Sequence, residues 1–168
     1  MKHGLSFGKS QMLMRDYNNK REISVVLLEM CEDVAKRARE KGYSARTISL
    51  GLTHSRYAII SENFYRSKTI EEPTNDTLTI YNVCKELLDE FYGGEPARQL
   101  SVRISNVSKE NGLQLDLFDQ NKVKRGHLAH TIDTLRNRFG STSILRAASY
   151  TNAGTARLRG QLVAGHKK

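Results

Sequence analysis

The residues closest to a catalytic motif are Gly4-Leu5-Ser6-Phe7-Gly8-Lys9-Ser10. A loop that wraps phosphates with backbone N–H groups needs four residues between its first glycine and the Gly-Lys-Ser/Thr. Three stand there in this chain. Such a loop also needs a buried strand before it and a helix straight after. Only Met1-Lys2-His3 come before, and an extended pattern follows. His127 and His130 are three apart, close enough on a helix to reach one metal, but no Cys, Asp or Glu has a supporting spacing. Asp16 and Asp33 have no second carboxylate placed for two-metal chemistry. No serine or cysteine sits in an activating arrangement. The expectation is a chain with no catalytic residue, no metal and no cofactor, whose chemistry is recognition.

Two features carry recognition. The first is Gln114-Leu115-Asp116-Leu117-Phe118, three apolar side chains in five residues between Asn111-Gly112 and Asp119-Gln120-Asn121. It reads either as an edge strand tucked into a core, or as a linear docking peptide. In the second case Leu115, Leu117 and Phe118 fill a partner's pocket and Gln114 fixes the register. The second feature is a set of hydroxyls and arginines that alternate along strand-like segments. Hydroxyls with scattered arginine suit phosphate contact, and a merely solvated face is the competing reading.

The elements that position these residues follow from periodicity. Ser10 to Arg15 is extended, with Met12 and Met14 on one face and Gln11, Leu13 and Arg15 on the other. Asn19 caps a helix with Glu22 three residues on, and Ile23, Val26, Leu27, Met30 and Val34 form its apolar stripe up to Gly42. Strands are expected at 46–53 and near 64–70. A helix opened by Glu71-Glu72-Pro73-Thr74 carries Ile80, Val83, Cys84, Leu87, Leu88 and Phe91. A fourth strand spans 99–107. The fold class is therefore α+β: a four-stranded, mainly antiparallel sheet with two helices on one face, in the order β-α-β-β-α-β. Its other face presents Thr47, Ser49, Gly51, Ser67, Thr69, Ser101, Arg103 and Ser105, with Gln11 and Arg15 expected beside them. Without stacking aromatics on the central strands, an RNA-recognition fold is disfavoured.

Past the docking-like peptide, a third helix is expected over 123–139, with a stripe of Leu128, Ile132, Leu135 and Phe139. Residues 151–168 are basic and poor in large apolar side chains, so a mobile tail is expected. The division is 4–108 for the sheet domain, 109–120 for the linker peptide and 121–168 for the basic extension. The net charge of +9 is lopsided: residues 1–119 hold 17 cations and 17 anions, and residues 120–168 hold 10 cations and Asp133 alone. Such a block points to a polyanion partner. No stretch is apolar enough for a membrane span. Cys31 and Cys84 read as buried free thiols in a reducing cytoplasm.

Together these stretches resemble the C-terminal, little-finger region of Y-family translesion DNA polymerases, in the UmuC-type branch of Gram-positive bacteria and their phages. The likeness lies in 8–17, 42–50, 64–69 and 128–148, and in 114–118, which matches the clamp-docking pentapeptide of bacterial polymerases. The resemblance implies that the sheet grips duplex template-primer DNA and that Gln114, Leu115, Leu117 and Phe118 dock on the sliding clamp. Carried over by position, it implies phosphate contacts from Lys9, Ser10, Arg15, Arg46, Thr47, Arg66, Ser67, Lys68 and Arg103. It implies a cytoplasmic, nucleoid-associated role in damage tolerance, beside the catalytic half of a polymerase. The palm with its metal-binding carboxylates is missing from this chain, which reads either as a fragment of a longer polymerase or as a truncated or split reading frame, with the second favoured. A free-standing protein that competes for the clamp is the alternative.

Overall fold

A computed structural model describes residues 4–59, 62–110, 120–163 and 166–167. The elements run β1 (Phe7–Tyr17), α1 (Lys20–Glu40), β2 (Tyr43–His54), β3 (Phe64–Thr74), α2 (Thr77–Phe91), β4 (Ala97–Lys109) and α3 (Gln120–Phe139). A single 3-10 turn (Ala147–Tyr150) and a short α4 (Ala156–Gly160) follow. The four strands form one antiparallel sheet in the order β1-β4-β2-β3. The four-stranded α+β architecture is the one the periodicity implies.

Alternation explains the core. Ile48, Leu50 and Leu52 of β2 and Leu100, Val102 and Ile104 of β4 point at the helices and are almost fully buried. Ile23, Val26, Leu27, Met30 and Val34 of α1 and Ile80, Val83, Leu87 and Leu88 of α2 meet them. Cys31 and Cys84 face each other between the helices at 4.0 Å, as free thiols, and burial pushes the Cys31 thiol well up. Asn19 caps α1 by accepting from the Glu22 amide at 2.9 Å. Gly42 ends it at φ +68°, a conformation that disfavours any side chain.

Three local readings change. Glu71-Glu72-Pro73-Thr74 belongs to β3, and α2 begins later at Thr77. Asp76 is its cap, accepting from Thr79 N at 2.9 Å and Thr79 Oγ1 at 2.8 Å. β3 is an edge strand whose register slips opposite Ala45–Thr47, so Pro73 can sit there without losing a ladder bond. The observed strands are also longer, and their ends carry Asp16, Glu71 and Glu72.

On β1 the alternation is as expected but the sides are reversed. Gln11 and Leu13 are buried under the helices, whereas Met12 and Met14 are 63% and 47% exposed. The cause is distant in sequence. Gln11 Nε2 donates to Thr155 Oγ1 at 2.9 Å, and Thr155 Oγ1 and N donate to the buried Glu29 carboxylate at 2.7 Å and 3.0 Å. Tyr17 Oη donates to Ala153 O at 2.7 Å. A buried amide and carboxylate are tolerable only when hydrogen-bonded. The C-terminal segment supplies those bonds, so Ala153 and Thr155 are buried against the sheet domain although the residues around them are mostly exposed.

The extension is fastened by charge. Arg39 makes a two-pronged bond to Asp133, at 2.7 Å and 3.1 Å. Glu32 receives both Arg136 and Arg146, at 3.3 Å and 2.7 Å. Lys122 meets Glu72 and Arg125 meets Asp76. The expected apolar stripe on α3 is not what seats it: Leu128 is 60% and Phe139 64% exposed. Four of the ten cations of this segment thus answer acids of the sheet domain, and only the others remain for a polyanion.

Candidate nucleic-acid interface

The strand registers set the side chains of the uncovered sheet face in rungs. Gly8, Arg103, Ser49 and Ser67 form one, and Ser10, Ser101, Gly51 and Tyr65 the next. Ser105, Thr47 and Thr69 flank them on one side, and Met12, Gln99 and Thr53 on the other. No carboxylate stands on these rungs. The hydroxyls are ordered: Ser49 pairs with Ser67 at 2.8 Å, Thr47 with Thr69 at 3.0 Å, and Gln99 Nε2 donates to Ser10 Oγ at 2.8 Å. Among the described residues, Arg103 has no hydrogen-bond or ion-pair partner, so its guanidinium is available at the centre of the face.

Gly51 shapes the middle of this face. A Cβ there would lie 2.3 Å from Ser101 Oγ and 3.0 Å from the Tyr65 ring. With no side chain at Gly51, the Tyr65 ring lies close across β2. A shallow depression of about 300 Å³ opens along Gly51, Thr53, Tyr65, Gln99 and Ser101.

The nine expected phosphate contacts do not share one surface. Ser10, Thr47, Ser67 and Arg103 lie on the open face. Lys9, Arg66 and Lys68 alternate to the helix side of the sheet. Lys9 pairs with Asp33 of α1. Arg66 lies 5.0 Å over the Phe91 ring, and Lys68 bonds Glu86 at 2.5 Å. Arg15 sits at one end of the sheet, bonded to Glu22 and lying 4.5 Å over the Tyr17 ring. Arg46 is exposed at the other end, beside the slip in the β2–β3 register. Gln114, Leu115, Leu117 and Phe118 lie outside the described residues. Tyr65 and Gln99 also lie on the open face, where the same alternation that exposes Ser67 exposes Tyr65.

Lys9 gives a titration test of its placement. Burial, then the positive charges of Arg159 and Arg37, push its ammonium down to about 8. Below about 8 it is charged both folded and unfolded, and the cost of burying that charge is present in full. As pH rises from about 8 towards the ordinary 10.5, only the folded chain loses the proton, and stability rises. Thermal melts of wild type and Lys9→Met should therefore differ in a pH-dependent way, shifting in favour of wild type between pH ~7 and ~10. A constant difference would mean that solvent or the Asp33 carboxylate offsets the burial of the ammonium.

Residues 5–117 match the family model of the impB/mucB/samB family C-terminal domain. The chain belongs to that family. It is the little-finger region of the Y-family polymerase type, as the resemblance implies. A Bacillus subtilis (strain 168) relative, "Putative UV-damage repair protein UvrX", is 47% identical over 99% of this chain and 40% of its own length. "DNA polymerase IV 2" of the same organism is 38% identical over 97% of this chain and 39% of its own length. The chain thus spans about two fifths of the curated relatives it matches. What it matches is the C-terminal part, the part without the catalytic palm. A solved little finger domain of PolIV, in complex with a beta-clamp processivity factor, has the same fold. Its TM-score is 0.51 at 12% identity, over 68% of this chain and 100% of that one. Among the described residues, no helix of this family member is long and apolar enough to cross a membrane.

Proposed function

We propose that this little-finger chain grips duplex template-primer DNA with its open sheet face and docks on a sliding clamp through Gln114, Leu115, Leu117 and Phe118, in translesion synthesis. The observation that carries the DNA reading is the face itself: ordered hydroxyls around an unpaired Arg103, with no carboxylate on the rungs. Ser10, Thr47, Ser67 and Arg103 donate to phosphate oxygens there. Such contacts hold the duplex without reading its sequence, which suits an enzyme that must accept any template. Arg46 extends the contact at one end of the sheet. Lys9, Arg66 and Lys68 act behind the face, tying the strands to the helices. The relatives' names, a repair protein and a polymerase, support the setting. Catalysis belongs to a palm that this chain does not contain.

The test is salt dependence. Arg103→Ala should weaken duplex binding equally for unrelated sequences. It should also flatten the plot of log affinity against log salt by about one unit of slope. Binding that ignores salt would overturn the reading.

A further inference from the structure

At the end of the sheet where β1 and β2 finish and β4 begins, Arg15, Asp16, Ser55, Arg56, Tyr57 and Arg98 line an open notch of about 650 Å³. Three arginines face one acid. Asp16 is largely committed, because Ser55 Oγ donates to its Oδ2 at 2.6 Å. Its contact with Arg98 is long, 3.5 Å, and the Arg98 side chain stays 42% exposed. Glu22, from α1, holds Arg15. Arg56 and Arg98 therefore keep donors for an anion. Tyr57 is 68% exposed, and Arg56 lies 4.9 Å from its ring centroid while donating to its hydroxyl at 2.8 Å. That covers one face of the ring and holds it in place.

A duplex offers phosphates but hides the faces of its bases, so an exposed ring beside guanidinium groups with donors to spare fits an unpaired nucleotide better than a paired one. The notch lies at the end of the sheet beside the open face, since Gln99 of the depression and Arg98 of the notch are neighbours on β4. Along β4, Arg103 sits mid-face, Gln99 and Ser101 line the depression, and Arg98 enters the notch. We propose that the notch holds a nucleotide of the single strand that continues from the gripped duplex, its base stacked on Tyr57 and its phosphate on Arg56 and Arg98. This rests on the sheet-face reading and extends it from duplex to junction.

Fluorescence anisotropy with the 168-residue chain separates the two. The probes are a blunt duplex, the same duplex with a short single-stranded overhang (5′ and 3′ in separate arms), and the overhang made abasic. Wild type should favour one overhang by about tenfold over the blunt duplex, and the abasic overhang should lose most of that gain. Tyr57→Ala and Arg98→Ala should each reduce the preference and leave blunt-duplex affinity within about twofold. Blunt-duplex binding without an overhang preference overturns the notch and leaves the sheet face standing. An equal gain from the abasic overhang, or a preference that survives Tyr57→Ala, overturns base stacking. Binding to none of the probes overturns both readings.

Discussion

Thr155→Val should lower the stability of the domain by about 3 kcal/mol, although the substitution nearly preserves shape and lies 38 residues beyond the end of the family match. The Thr155 hydroxyl donates to the Glu29 carboxylate at 2.7 Å and accepts from Gln11 Nε2 at 2.9 Å. Valine removes both bonds and leaves two buried groups short of a partner. A hydrogen bond to a charged group contributes about 1.5–3 kcal/mol, and a buried group left unsatisfied costs about 1–3 kcal/mol. The Thr155 amide still donates to Glu29, so the loss is partial. For a chain of this size the midpoint of thermal unfolding should fall by roughly 6–12 °C. Thr155→Ser keeps the hydroxyl and should fall by less than about 1 kcal/mol. Limited proteolysis is the second readout: the valine variant should be cut sooner within 146–163. If valine and serine melt together with wild type, the C-terminal segment does not cover Glu29.

The same residues show where reading from sequence stops. The stripes of α1 and α2 and the alternation of Ile48, Leu50 and Leu52 are local patterns, and they were enough to imply the layer order. Alternation on β1 defines two faces without saying which is buried. There an apolar pair, Met12 and Met14, competes with a mixed pair, Gln11 and Leu13. The choice is made by Thr155, 144 residues away, and nothing in the composition of the tail marks it. Glu29 is a local sign of the same burial, because a carboxylate within the apolar stripe of α1 must find donors. Charge was misread for a related reason. Lys9, Arg66, Lys68, Arg136 and Arg146 look alike in sequence. Packing alone sets each against Asp33, Phe91, Glu86 or Glu32 and leaves Arg103 open. Pro73 looked like a helix start because edge strands and helix starts both tolerate a missing N–H.

Leu117→Ala combined with Phe118→Ala should abolish binding to a sliding clamp and leave the melting temperature unchanged. Among the described residues the sheet has four strands, and the described core draws on residues between Phe7 and Ile104 plus Ala153. Leu117 and Phe118 themselves lie outside the described residues, and the melt is the measurement that decides whether they belong to the core. An apolar anchor at the centre of a peptide interface is worth about 2–4 kcal/mol, so losing two should weaken binding by roughly a thousandfold or more. A pull-down with the clamp, wild type against the double variant, reads the loss, and a thermal melt reads the fold. Unfolding of the double variant would make Leu117 and Phe118 core residues and remove the docking peptide. Unchanged clamp binding would place docking elsewhere on the chain. The DNA face supplies the control, because Arg103 acts from the sheet and the peptide from the linker. The double variant should keep wild-type duplex affinity, and Arg103→Ala should keep wild-type clamp binding. Crossed losses would mean that the two partners compete for one surface.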